Sequence, residues 1–244
     1  VIPDEKKDFF ASEAVNPRGV LCRAIKLIKS AYPSLVLVSD VALDPYSILG
    51  HDGLVSEGEV LNDETVEVLA KMAVLHAKAG VDIVAPSDMM DGRVGAIRQA
   101  LDKAGFHTVS ILSYAAKYAS QLYSPFRDAL QSELKDGDKQ SYQMDISNRR
   151  EAIREVSLDL EEGADMVMVK PGTFYLDIIR EIRDRFDCPI AAYHVSGEYT
   201  MIKLAAQHNI LDDKLVLKEA LVALKRAGAD VIISYGALEI AELL

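Results

Sequence analysis

One device recurs along this chain and limits what it can fold into: a helical stretch ends at a glycine and an apolar strand begins at once. Ala79-Gly80-Val81-Asp82 leads into IVAP, Glu162-Gly163-Ala164-Asp165 into MVMVKP, and Ala227-Gly228-Ala229-Asp230 into VIISY. Ala104-Gly105-Phe106-His107 leads into TVSILSY without the aspartate. A glycine at this point accepts the left-handed conformation that closes a helix. The strands that follow are short and apolar, as they are when helices cover both faces of a parallel sheet. The repeated alternation predicts an α/β fold.

Strands are expected at about 35–40, 82–86, 108–114, 166–170, 190–195 and 231–235. Helical periodicity fills 18–31, the stretch from Asn62 to Gly80, and 92–104, 148–162, 174–186, 199–208 and 214–227. Val1-Ile2 reads as the end of a further strand, so residues 1–244 form a single (β/α)8 TIM-type barrel lacking its first strand and most of its second. A doubly wound open sheet is the alternative, but no GxGxxG follows a strand. Two connections are long, 41–61 and about 115–147. Long loops in compact domains are commonly functional. The second mixes aromatics with Lys117, Arg127 and Lys139, as suits a lid over an anionic ligand.

Charge excludes some functions. The chain has 38 acidic and 27 basic residues, a net −11, which disfavours nucleic-acid binding. No apolar run reaches the length of a membrane span. Cys22 and Cys188 are far apart, which disfavours a disulfide framework or a cysteine-built zinc site.

The candidate chemistry centres on lysine. MVMVKPG places Lys170 at the C-terminal end of a buried strand, where α/β folds carry their sites. Lys117 lies three residues beyond the preceding strand. An apolar wall and a second ammonium both favour the neutral amine. A lysine lowered to about 7–8 can attack a carbonyl and form a Schiff base. Asp40, Asp44, His51 and Asp52 cluster around the first long loop, and their oxygens suit Mg²⁺ better than zinc. Ser196 and Tyr235, just past strand ends, offer hydroxyls to a carboxylate.

These segments together resemble a known family. SDVALDPY…GHDG (39–53), APSDMMDGRVGAIR (85–98), SYAAKYAS (113–120), SPFRDA (124–129), YQMD (142–145), EGADMVMVKPG (162–172) and AAYHVSGEY (191–199) are similar to the porphobilinogen synthases, or 5-aminolevulinate dehydratases, and VIPDEKKD (1–8) fits the same pattern. The resemblance implies a TIM-type barrel, a homo-octamer and condensation of two 5-aminolevulinate molecules into porphobilinogen. By motif match, Lys170 resembles the Schiff-base lysine of the first substrate and Lys117 that of the second. Arg127, Lys139 and Gln143 resemble lid groups for the second substrate's carboxylate. Ser196 and Tyr235 resemble the grip on the first, and Asp40 is a further substrate-binding candidate. The zinc-type cysteines are replaced by Ala42, Asp44 and Asp52, which implies the aspartate-rich, Mg²⁺-responsive group. Glu155 resembles the ligand of an activating Mg²⁺, with Asp44 and Asp52 as candidates for a second ion. Ile48-Leu49, Ala115 and Gly236 depart from the usual pattern. The missing N-terminal arm counts against octamer assembly. The implied location is cytoplasmic or plastid. Two other readings remain: a class I aldolase-like lyase, and an inactive truncated paralogue or assembly partner.

Overall fold

The structure, a computed structural model, describes residues 2–130 and 137–241. Residues 131–136 of the expected lid, and Val1, lie outside the described residues. Ile2 is not in a strand; it is buried in the core. In chain order the helices are α1 (Val20–Ala31), α2 (Asn62–Ala79), α3 (Arg93–Lys103), α4 (Ser124–Leu130), α5 (Arg150–Glu161), α6 (Leu176–Arg185), α7 (Ser196–Gln207), α8 (Asp213–Ala227) and α9 (Ala237–Ala241). The strands are β1 (Val38–Val41), β2 (Leu54–Ser56), β3 (Glu59–Leu61), β4 (Ile83–Pro86), β5 (Ser110–Lys117), β6 (Met166–Lys170), β7 (Ile190–His194) and β8 (Val231–Ser234).

Six strands pair in parallel in the order β1-β4-β5-β6-β7-β8. The glycines behave as expected: Gly80, Gly105, Gly163 and Gly228 all have positive φ. The aspartate after three of them has a task as well. Asp82 and Asp230 accept the backbone N–H groups of Leu37 and Ile190, and Asp165 that of Ile111, so each holds the base of the neighbouring strand.

The sheet is an incomplete (β/α)8 barrel with open edges at β1 and β8. Its outer face packs on the helices in two large clusters, one around Leu69, Ile97 and Ile111, the other around Val167, Ile179 and Ile190. Its inner face carries a thin layer of Ala85, Leu112, Tyr114, Met168 and Ala191. Val38 and Val231 pair with inner-facing residues, yet stay exposed on the two edge strands.

Three differences from expectation follow from tertiary context. Pairing of β1 starts at Val38, because Leu35 and Val36 stand exposed at the edge. The first long loop contains the β2–β3 hairpin, turned at Glu57 and Gly58, both at positive φ. β5 continues to Lys117 instead of stopping at Tyr114. A register irregularity lets it do so: Ser113 pairs with Val167 but Ala116 with Val169, giving β5 one extra residue.

A buried ion network braces this strand from outside. Arg93 on α3 reaches Asp159 on α5 at 2.5 Å and the Ser113 hydroxyl at 3.0 Å, and Ser113 donates to Asp159 at 2.5 Å.

Candidate active site

β5 and β6 bring the two lysines together. Lys117 and Lys170 are register partners at the C-terminal ends of adjacent strands. Lys170 Nζ sits among four aromatic rings: Tyr193 at 4.8 Å, Tyr123 at 5.1 Å, Tyr114 at 5.2 Å and Phe126 at 5.8 Å. Burial, helped by the Lys117 charge, pulls its amine down to about 8, while Asp40, Asp44 and Asp52 pull the other way. Its carbonyl accepts the Tyr118 N–H at 2.9 Å and the Tyr123 hydroxyl at 3.0 Å, so the backbone beneath the amine is fixed.

Lys117 has a different environment. Its Nζ donates to the Ser87 carbonyl and to Asp52 Oδ2 at 3.3 Å. An apolar wall and a second ammonium were expected to act on both amines, but Lys117 also carries a carboxylate counter-ion. Asp52 also accepts from Lys139 at 2.9 Å and from Gln143 at 3.3 Å. Burial pushes the Asp52 carboxyl up, but the two ammonium groups outweigh this and hold it well below the usual carboxylate range. Asp44 lies 3.7 Å from Lys139; burial raises it to about 6 despite that charge. Asp44 and Asp52 were the expected holders of a second ion, and here both lie against lysines. Their charge is met by Lys117 and Lys139, and among the described residues no cluster of three or more His, Cys, Asp or Glu could hold a metal.

The other expected residues surround this pair. Lys139 and Gln143 are buried on Asp52, while Arg127 is partly accessible and stacks on Tyr123 at 5.7 Å. Asp40 lies near Tyr114, and burial together with the Asp40 charge pushes the Tyr114 hydroxyl well above its usual range. Tyr235 is exposed and leans on the Tyr193 ring at 6.3 Å. Ser196 is buried and donates to the Leu122 carbonyl at 3.4 Å. Glu155 is apart from the lysines, on the wall of a cavity of about 1400 Å³ also lined by Asp91, Asp145, Glu151 and Arg154.

Sequence reasoning missed the aromatic cage. Its signal was available in part: Tyr193 follows Ala191 by two residues, so it shares the inner face with Ala191. Asp88, just past the IVAP strand and given no role from the sequence, is fully buried, 4.0 Å from the Arg93 Nε and raised by burial to about 6.

The segment after β5 docks on α7 at a glycine. A Cβ on Gly197 would meet the Leu122 carbonyl oxygen at 2.5 Å. Gly197→Ala is expected to cost about 2 kcal/mol, read from the urea midpoint.

A caged amine of lowered pKa beside an ion-paired second lysine is equipped for imine chemistry on a carbonyl. Comparison with known proteins agrees with this chemistry. The delta-aminolevulinic acid dehydratase family profile matches residues 1–243. The chain is 57% identical to the Chlamydia pneumoniae delta-aminolevulinic acid dehydratase over 244 residues, all of this chain and 74% of that protein. It is 56% identical to the chloroplastic enzyme of Glycine max, again over the whole chain but only 59% of that protein. A crystal structure of the Toxoplasma gondii enzyme with its reaction product porphobilinogen superposes with a TM-score of 0.98 at 53% identity, covering 99% of this chain and 70% of that one. By these matches the chain, whose paired lysines stand at the mouth of a partial barrel, belongs to the delta-aminolevulinic acid dehydratase family.

Proposed function

We propose that the chain condenses two molecules of 5-aminolevulinate into porphobilinogen, with loss of two waters, as a hydro-lyase of tetrapyrrole biosynthesis. The observation that carries this reading is the register pairing of Lys117 with a Lys170 lowered to about 8. A free lysine is almost wholly protonated at neutral pH; near 8, about a tenth of the amine is neutral at pH 7. Lys170 attacks the ketone carbon of the first substrate and expels water as an imine. Its aromatic cage excludes bulk water that would return the imine to ketone. Ser196 and Tyr235 hold that substrate's carboxylate. Lys117, held at its Nζ by Asp52, binds the second substrate. Arg127, Lys139 and Gln143 meet the second carboxylate. Carbon–carbon bond formation, ring closure and proton loss complete the product.

Glu155 would hold a Mg²⁺ outside the lysine pocket. The local chemistry fits: burial and the neighbouring carboxylates Asp159, Glu151 and Asp91 raise the Glu155 carboxyl. A hard cation that keeps most of its waters suits one carboxylate facing an open cavity. Bound there, it would supply positive charge among those acids. In a Mg²⁺ titration, Glu155→Gln is expected to lose the stimulation; an unchanged response would reject the assignment.

The reaction would run in the cytoplasm or a plastid; the soybean relative is named chloroplastic. No described helix is long and apolar enough to cross a membrane. Exposed Phe9, Phe10, Leu27 and Tyr32 offer apolar surface for the self-association the family resemblance implies.

The test is direct. The protein is incubated with 5-aminolevulinate and Mg²⁺, reduced with borohydride and mapped by mass spectrometry. Adducts on Lys170 and Lys117 with porphobilinogen released are the expected result. Folded protein giving no adduct would sink the reading and favour an assembly partner.

A further inference from the structure

The Glu198 carboxylate is 3% exposed, and no ammonium or guanidinium is among its hydrogen-bond partners. It accepts backbone N–H groups from two different turns. Oε1 takes Thr173 at 2.5 Å; Oε2 takes Val195 at 2.6 Å and Gly172 at 3.5 Å. One of these turns directly follows Lys170, and the other directly precedes Ser196. The same helix start carries Gly197, packed against Leu122 at the root of the lid, and Ser196, bonded to the Leu122 carbonyl. A buried carboxylate at this position is costly unless its bonds do something. An ordinary helix cap would need only the Val195 contact.

We infer that Glu198 is a positioning residue: its carboxylate clips the turn after Lys170 to the start of α7, fixing the imine-forming lysine relative to Ser196 and the lid root. It acts through backbone geometry. Glu198 is not among the main charges that set the Lys170 amine, which are Lys117, Asp40, Asp44 and Asp52. This inference rests on the reading of Lys170 as the Schiff-base lysine.

Two measurements on the full chain test it, one of which needs no reaction. Hydrogen exchange of a peptide spanning 171–175 reports the clip itself. The rate of borohydride-trapped adduct at Lys170 reports its effect. In Glu198→Ala, the Gly172 and Thr173 amides are expected to exchange at least tenfold faster. The adduct rate and kcat are expected to fall at least tenfold, with KM changed less than threefold. Glu198→Gln keeps one acceptor oxygen and restores much of both, and the pH midpoint of adduct formation stays at the wild-type value in each variant. Folded Glu198→Ala with unchanged exchange and unchanged adduct rate overturns the proposal. So does a shifted pH midpoint with unchanged exchange, which would make charge the agent. If the wild type itself forms no adduct while Glu198→Ala still loosens 171–175, the clip stands and the catalytic reading fails.

Discussion

Replacing Lys170 by methionine is expected to abolish turnover and raise stability together. The reaction loses its nucleophile, and kcat should drop by about 10³-fold or more. The stability gain follows from the same burial that makes the amine reactive. Its pKa falls from 10.5 to about 8 on folding. That difference of about 2.5 units corresponds to about 3 kcal/mol against the folded state at neutral pH. Between 8 and 10.5 the unfolded chain binds more protons, so stability rises with pH across that window; below 8 the penalty is fully present. The advantage of Lys170→Met over wild type should therefore be largest near pH 7 and fade toward pH 10. Methionine fills the space between the four rings without a charge. Thermal unfolding at pH 7 and 10 decides the matter, and an unchanged or lower Tm at pH 7 contradicts it. In the wild type, the rate of adduct formation at Lys170 should climb with pH up to about 8 and then level off.

The second large effect is expected at Asp52. Asp52→Ala leaves Lys117 and Lys139 buried at 5% and 6% exposure without their shared carboxylate. Breaking a buried pair by removing one partner costs about 3–5 kcal/mol. Asp52 is depressed on folding, so its contribution is present above its unfolded pKa near 3.8 and is lost only as pH falls through the still lower folded value. The destabilisation of Asp52→Ala should accordingly be flat from pH 7 to 8 and persist at pH 5. Chemistry should suffer selectively: adduct formation at Lys117 falls, while Lys170, whose cage is intact, still traps 5-aminolevulinate. Equal loss at both lysines, measured by peptide mapping of folded protein, would deny Asp52 a specific role.

Local signals made much of this legible in the sequence. Glycine helix ends and apolar runs placed all six sheet strands, because each rests on a few adjacent residues. Lys170 could be read in the same way, from MVMVKPG alone. The ion pairs could not be. Asp52 and Lys117 are 65 positions apart, and nothing in HDG or AAKY says that one neutralises the other. The aspartates near the first loop suggested metal ligands because their oxygens are right for a hard cation; that Lys117 and Lys139 lie against Asp44 and Asp52 could not be read from the sequence. Glu198 lay just before the helix expected at 199–208, and only the fold reveals that it belongs to the first turn of α7 and reaches back to Thr173.

The extra residue in β5 carries a further consequence. Side chains on a strand alternate in parity, and Leu112 and Tyr114 are even-numbered and face inward. Strict alternation would send Lys117, an odd position, out among the helices. The one-residue offset between Ser113 and Ala116 resets the phase, so Lys117 emerges on the same side as Lys170. The second amine is thus a matter of framing as much as of composition. Deleting Ala115 alone would retain every functional group, yet turn Lys117 away from its substrate. In this strand a frame error of one residue is equivalent to removing the lysine.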